Sequence, residues 1–187
     1  MINLSIYFII LCFVIMAVVW ILSAFTNKKT VQKSGGWTLR IIAIVIIFSV
    51  FYIQKNAEVF NVTLWSQTTV LVIIADIVVL AGLIVMIWSR VTLGKNWSAN
   101  IVLKEGHELI TSGPYSFVRH PIYSGLLLMI LGVTLYVGSF AWLVLFVLFF
   151  IGAYFKAMKE EELMVKQFSQ EYNEYRRRVK AIIPFIF

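Results

Sequence analysis

The stretch PIYSGLLLMILGVTLYVGSFAWLVLFVLFFIGAYF, from Pro121 to Phe155, decides the fold because it contains no charged residue. A helix needs about 20 apolar residues to cross a bilayer, so this stretch is too long for a single span. Gly138-Ser139 is a turn signal and divides the stretch into two nearly equal halves. The sequence therefore predicts a tight hairpin of two membrane-spanning helices.

Further apolar segments precede this hairpin. We predict spans at Leu4 to Phe25, at about Trp37 to Gln54 and at about Gln67 to Trp88. Hydrophobic residues make up 61% of the 187 residues and charged residues only 13%, which excludes a soluble globular domain. The predicted fold is an all-α integral membrane protein with about five transmembrane helices, including the C-terminal hairpin.

The basic residues indicate an orientation. Sixteen Lys and Arg against nine Asp and Glu give a net charge of +7. All but Lys55 fall on one side of the five-span arrangement: Lys28, Lys29, Lys33, Arg40, Arg90, Lys95, Lys104, Arg119, Lys156, Lys159, Lys166, Arg176, Arg177, Arg178 and Lys180. The positive-inside rule assigns that side to the cytosol. We therefore expect an integral membrane protein, of the inner membrane in a prokaryote, with its N-terminus outside and its C-terminus cytosolic. Membrane lipids rather than nucleic acid are its expected partners.

Two regions are predicted along the chain. Residues 1–90 contain three spans of unspecific sequence, and residues 91–187 contain a loop, the hairpin and a tail. The loop includes a short alternating piece, Ala99 to Leu103, and a turn signal at Gly113-Pro114. The tail from Lys156 to Lys180 is predicted to continue the last helix as an amphipathic segment of the membrane surface.

Polar residues cluster at both ends of the hairpin. Arg119 and His120 precede its start, and Glu160, Glu161 and Glu162 follow its end. Because a hairpin brings its two ends together, these residues are predicted to face each other, and three adjacent acids require a cation. The plainer interpretation is an interfacial helix cap with a belt of tyrosines.

A longer motif contains this cluster. Gly106 to Gly125 follows Gly-His-x-Leu-x-x-x-Gly-Pro-Tyr-x-x-x-Arg-His-Pro-x-Tyr-x-Gly, and Glu160-Glu161 comes later, followed by Phe168, Glu171-Tyr172 and Tyr175. In order, spacing and topology this pattern resembles the isoprenylcysteine carboxyl methyltransferase family and its phospholipid methyltransferase relatives. The resemblance covers the chain from Gly94 onward.

The resemblance implies S-adenosylmethionine as cofactor, bound without a dinucleotide-binding domain and without a metal. The residues that it implies as the lining of the cofactor pocket are His107, Leu109, Ile110, Tyr115, His120, Pro121, Ile122 and Tyr123, with Glu160 closing the pocket. These residue types suit the ligand, because carboxylates and aromatic rings attract a sulfonium cation, while Arg and His attract a carboxylate.

The resemblance also implies methyl transfer to a lipophilic acceptor that enters from the bilayer, most closely carboxyl O-methylation of an isoprenylcysteine-like substrate. The candidate catalytic residues are Lys156, Glu160, Glu161 and Arg119. Lys156 stands where the family usually has an arginine that holds the acceptor carboxylate, so the charge is kept and the bidentate fork is lost. Val179-Lys180 stands where Val-Pro is common.

Other functions stay open at this point. A phospholipid amine is an alternative acceptor. A sterol or lipid reductase that uses NADPH shares the Arg-His-Pro-x-Tyr-x-Gly element, but such reductases have Asp where this chain has Leu126. A non-enzymatic membrane scaffold is the third class. Asp76, inside a predicted span, is either functional or hydrogen-bonded between packed helices.

Overall fold

The structure, a computed structural model, describes residues 2–24, 30–34, 62–94, 101–104 and 109–184. Within these ranges the chain forms helices α1 (Ile2–Ala24), α2 (Thr69–Leu93), α3 (Pro121–Val137) and α4 (Phe140–Arg178), strands β1 (Thr30–Ser34) and β2 (Ile101–Lys104), and a 3-10 helix (Gly113–Ser116). The predicted span from Trp37 to Gln54 and the predicted ligand residue His107 lie outside the described residues.

The membrane-spanning character of the helices agrees with the sequence. Helices α1, α2 and α4 are long and apolar enough to cross a membrane, and α3 is a shorter apolar helix. The all-α integral membrane fold is therefore confirmed. The structure adds an antiparallel pairing of β1 with β2. The sequence had indicated only an alternating piece from Ala99 to Leu103, without a pairing partner.

Gly138 forms the turn of the predicted hairpin. It adopts a left-handed conformation with φ of 69°, and its N–H donates to Thr134 O at the end of α3. A Cβ at this position would lie 2.5 Å from Trp65 O, so the close approach also requires glycine. The Trp65 indole N–H in turn donates to Leu135 O at 2.9 Å. The segment before α2 thereby holds the hairpin turn.

Glycines allow α2 and α3 to pack closely. A Cβ at Gly82 would lie 2.5 Å from Gly125 O, and a Cβ at Gly132 would lie 2.8 Å from Ala75 O. Small residues are the usual way in which membrane helices bring their backbones together. This contact fixes the start of α3, where the polar motif lies, against the end of α2.

Helices α1 and α2 run parallel and are joined near both ends. The Ser5 hydroxyl donates to Asp76 Oδ1 at 2.6 Å, and buried Arg90 donates to Ser23 O at 2.8 Å. The contact of Asp76 fits the interpretation of a residue that is hydrogen-bonded between packed helices. These polar contacts flank an apolar core that includes Cys12, Val79 and Met86.

Helix α4 changes direction at Ser169, where φ is 42°. The chain stays helical to Arg178, as predicted, but α4 is not one straight helix, because its direction changes at Ser169. In a straight helix, Glu161 and Arg176 would be about 22 Å apart at 1.5 Å per residue, but the Arg176 Nε lies 3.2 Å from Glu161 Oε2. The last turns of α4 therefore fold back toward the mouth of the hairpin, and Tyr172 and Tyr175 are buried rather than exposed at a surface.

The chain after α4 pairs with the start of the hairpin. The Arg119 N–H donates to Lys180 O at 2.8 Å, and the His120 N–H donates to Ala181 O at 2.9 Å. The Ser124 hydroxyl donates to Ile182 O at 2.5 Å. Ile182 is buried in an apolar cluster with residues of α3 and α4. This return segment, residues 179–182, closes one side of the polar cluster.

Candidate active site

Arg119 joins three parts of the chain at the mouth of the hairpin. Its Nε and Nη2 atoms lie 2.8 and 2.7 Å from Glu161 Oε1. Its Nη1 donates to Arg176 O at 3.2 Å and also to Val179 O. All three guanidinium nitrogens thus bind within the protein, so Arg119 clamps α4 and the return segment to the start of α3.

Glu161 is the buried carboxylate of the cluster, with a relative exposure of 2%. Besides Arg119, it meets the His120 Nε2, which lies 3.2 Å from Oε1. Arg176 Nε lies 3.2 Å from Oε2, but poorly aligned, so Oε2 accepts no hydrogen bond within the described part of the chain. Three basic side chains therefore surround one carboxylate, which makes Glu161 the structural centre of the cluster.

Glu160 has a different environment, although it is the neighbouring residue. Its side chain is 23% exposed, and its Oε1 accepts a hydrogen bond from the Tyr123 hydroxyl at 2.6 Å. His120 Nδ1 lies 3.6 Å from its Oε2. Glu160 is therefore a fixed carboxylate that a ligand can still reach.

Tyr123 forms the aromatic part of the cluster. Its ring stacks on His120 with centroids 5.6 Å apart and an interplanar angle of 16°. The Lys156 Nζ lies 5.2 Å from the centre of the Tyr123 ring. Among the ion pairs of the described residues there is none between Lys156 and Glu160, although the two lie one helical turn apart, so the contact of Lys156 in this cluster is the cation–π contact.

Electrostatics favour the charged forms of both His120 and Glu161. Burial alone would lower the pKa of His120, but hydrogen bonds and charge attraction from Glu160 and Glu161 outweigh it and raise this pKa. Burial would raise the pKa of Glu161, but His120 and Arg119 outweigh it and lower that pKa. His120 stacked on Tyr123 is therefore more readily protonated than a free imidazole, because two carboxylates flank it.

The remaining predicted pocket residues within the described part of the chain are either buried or half-buried. Tyr115 is buried, and its hydroxyl donates to Ser89 O at 3.4 Å. Pro121 is also buried and is the first residue of α3. Ile122 packs against the core of α1, α2 and α3. Leu109 and Ile110 are half-buried, and in the described part of the chain no hydrogen bond or ion pair joins them to the cluster. The structure thus brings together Arg119, His120, Tyr123, Lys156, Glu160 and Glu161.

Sequence reasoning assigned no role to several residues that complete the cluster. The Tyr175 hydroxyl donates to Tyr115 O at 2.5 Å, and its ring packs edge-on against Tyr172. Arg176 approaches Glu161 from the folded-back end of α4. Tyr172 and Tyr175 belong to the sequence motif, which could have indicated their place in the cluster. Arg176 lies in a run of three arginines, and nothing in the sequence distinguishes it from its neighbours. A groove of about 500 Å³ opens beside Glu161 and is lined also by Met158, Glu162, Val165, Lys166 and Arg176.

Comparisons with known proteins support the family resemblance that the motif indicates. The family model described as phospholipid methyltransferase matches residues 70–171. The probable protein-S-isoprenylcysteine O-methyltransferase of Oryza sativa subsp. japonica is 32% identical over 113 residues, which cover 59% of each chain. The cobalt-zinc-cadmium resistance protein CzcN of Cupriavidus metallidurans is 28% identical over 162 residues, which cover 86% of this chain and 68% of that protein.

A solved structure shares the fold. The eukaryotic intramembrane Ras methyltransferase ICMT, isoprenylcysteine carboxyl methyltransferase, aligns with a TM-score of 0.56 at 23% identity, over 83% of this chain and 55% of that one. The chain spans about three-fifths of the length of the rice relative. Because the family model matches more than half of the chain, including the hairpin and both glutamates, this chain belongs to the phospholipid methyltransferase family, and the resemblance inferred from its motif is confirmed.

Proposed function

We propose that this protein is an integral membrane methyltransferase that uses S-adenosylmethionine as methyl donor and acts on a lipophilic acceptor. The observation that carries the proposal is the Glu160 carboxylate, which is partly exposed, held by the Tyr123 hydroxyl at 2.6 Å and placed beside an aromatic stack. Family membership supports the same activity.

The residues present fit this cofactor. S-adenosylmethionine carries a sulfonium and an ammonium group, and it supplies an electrophilic methyl group when bound. Glu160 offers a reachable carboxylate to a positive group, and the Tyr123 ring already accepts the cation of Lys156. His120, when protonated, offers a counter-charge to a carboxylate. We propose that His107, Leu109, Ile110, Tyr115, Pro121 and Ile122 complete the pocket.

The chain's own residues then have separate tasks. Glu160, Tyr123 and His120 orient the donor, and Lys156 attracts an anionic acceptor toward it. Arg119 and Glu161 do not need to touch either reactant, because their mutual contacts fix the relative positions of α3, α4 and the return segment. Positioning of two reactants and exclusion of water are the main requirements of a direct displacement.

The acceptor that we favour is a carboxylate on a lipid, such as an isoprenylcysteine-like group that enters from the bilayer. A carboxylate is already anionic at neutral pH, so no general base is required, and Lys156 stabilises its approach. A phospholipid amine is the second candidate, favoured by the family description. An amine must lose its proton before attack, and the ammonium of Lys156 repels its protonated form.

We also propose the orientation that the basic residues predict, with the cluster on the cytosolic side. Ser112 is exposed in the loop before the 3-10 helix, and the single cysteine, Cys12, is buried. A Ser112→Cys variant in intact cells should therefore resist an impermeant thiol reagent until the membrane is opened. Labelling from outside would reverse the proposed orientation.

Calorimetry on the purified protein in detergent separates the functional classes. A methyltransferase should bind S-adenosylmethionine or its demethylated product. A reductase should bind the nicotinamide dinucleotide phosphate instead, and a scaffold should bind neither. Glu160→Gln should weaken binding of S-adenosylmethionine, whereas Lys159→Gln, an exposed charge change one residue away, should leave it unchanged.

A further inference from the structure

Four exposed cations lie together at the folded-back end of α4. This C-terminal basic surface consists of Arg176, Arg177, Arg178 and Lys180. Residues 175 to 184 contain no acidic residue, and Glu174, which comes directly before them, accepts a hydrogen bond from Gln170 at 3.2 Å. Arg176 faces Glu161, but in the described part of the chain the other three side chains take part in no ion pair and no hydrogen bond.

The position of this surface along the membrane normal follows from the backbone hydrogen bonds of the return segment. Lys180 O and Ala181 O accept hydrogen bonds from the backbone of Arg119 and His120, which directly precede the apolar helix α3. The next residue, Ile182, is buried against Leu127 and Ala153, which belong to the apolar parts of α3 and α4. The four cations therefore lie at the level where the apolar spans end, which is the level of phospholipid headgroups.

We propose that the C-terminal basic surface is a binding surface for anionic phospholipid headgroups. Four like charges within five residues repel one another, and a phosphate at the same depth relieves this repulsion. Arg177 and Arg178 can each donate two parallel hydrogen bonds to phosphate oxygens. Of the nearby glutamates, Glu161 already contacts Arg119 and His120, and Glu174 accepts a hydrogen bond from Gln170, so in the described part of the chain neither forms an ion pair with the outer three cations.

This surface is mechanically linked to the polar cluster. The backbone that carries Arg176 and Val179 accepts hydrogen bonds from the Arg119 guanidinium. A lipid bound to the surface therefore stabilises the return segment in its place against Arg119 and His120. This inference does not depend on the methyltransferase activity, because it concerns binding and stability alone.

The test uses the full-length protein in a neutral detergent. The unfolding temperature is measured while short-chain phosphatidylglycerol is added, with short-chain phosphatidylcholine and inorganic phosphate as parallel titrations. Binding to the folded state raises the unfolding temperature in proportion to the logarithm of ligand concentration over Kd. Arg177→Gln/Arg178→Gln/Lys180→Gln removes three charges, and Arg177→Lys/Arg178→Lys/Lys180→Arg is the matched control that keeps them.

The expected result is selective stabilisation by phosphatidylglycerol. The glutamine variant should bind this lipid about a hundredfold more weakly, since each basic residue near an anionic surface contributes about a fivefold factor. The charge-conserving variant should stay within about threefold of the parent, and about 1 M salt should abolish the preference. Equal stabilisation by both lipids, or full binding by the glutamine variant, would overturn the proposal. Saturable competition by inorganic phosphate would assign the surface to a soluble anion instead.

Discussion

The adjacent glutamates allow one substitution to be tested against a close control. Glu161→Gln removes the charge that two almost completely buried cations share, with side-chain exposures of 7% for Arg119 and 9% for His120. Breaking a buried ion pair by neutralising one partner costs about 3–5 kcal/mol, because the other charge stays buried without compensation. Glu161→Gln should therefore strongly destabilise the folded protein.

Glu160→Gln changes the same group one residue earlier, with a different expected result. The Glu160 side chain is 23% exposed, and its contact with His120, at 3.6 Å, is longer than that of Glu161; its hydrogen bond comes from the neutral Tyr123 hydroxyl, which the amide oxygen of Gln can still accept. We expect a loss of stability below about 1 kcal/mol. If Glu160 holds a positive group of the cofactor, the affinity should fall by about 1–3 kcal/mol, or about 5- to 150-fold.

Thermal unfolding monitored by tryptophan fluorescence in detergent, together with calorimetry, measures both effects. For a chain of this size a loss of about 3–5 kcal/mol corresponds to a decrease in Tm of about 6–20 °C. Glu161→Gln should show this decrease, and Glu160→Gln should show weaker cofactor binding at nearly unchanged Tm. Equal Tm values for the two variants, or a larger decrease for Glu160→Gln, would refute the assignment of Glu161 as the structural carboxylate.

Further predictions concern packing, pH and the acceptor. Gly82→Ala should destabilise the protein by about 1–3 kcal/mol, because its methyl group would meet the backbone of α3 at 2.5 Å; Gly152→Ala, with nothing within 4 Å, is the control and should not lower Tm. Because the pKa of His120 is raised above its ordinary 6.5, its contribution to stability is complete below pH 6.5 and is lost as the pH rises through the raised pKa. A His120→Gln variant should therefore show a flatter dependence of Tm on pH above 6.5, and an unchanged slope would contradict the charged pairing. Lys156→Met should raise the KM for a carboxylate acceptor with little change in cofactor affinity, whereas Lys156→Arg should retain activity. Reduced cofactor binding by Lys156→Met would assign this residue to the donor site.

The hairpin was predictable because its determinants are local. An uncharged run that is too long for one span and a glycine at its midpoint suffice to place the turn at Gly138. A hairpin then necessarily brings Arg119 and His120 close to the acids, and the structure has these contacts for Glu160 and Glu161. Local patterns of hydrophobicity and turn residues therefore predicted the part of the fold that positions the cluster.

The reversal at Ser169 was not predictable from local sequence. Serine is tolerated inside helices, and neither glycine nor proline marks this position. The reversal instead accompanies long-range contacts, in which Tyr175 reaches the backbone of Tyr115 and Arg119 reaches the backbone of Val179. The division of roles between Glu160 and Glu161 was hidden for a similar reason. Neighbouring helix residues point about 100° apart, and only the position of α3 determines which one is buried.

Transfer of a labelled methyl group tests the central claim most directly. The purified protein is incubated with S-adenosylmethionine labelled in its methyl group and with a total lipid extract, and the labelled product is then treated with mild base. We predict a labelled lipid from which base releases the label as methanol, as expected of a methyl ester. The Glu160→Gln variant should give no labelled product at a donor concentration that saturates the parent protein but not the variant. A base-stable labelled lipid would show an amine acceptor and contradict the carboxylate assignment. Absence of any labelled lipid, from protein that also fails to bind S-adenosylmethionine, would contradict the proposed methyltransferase function.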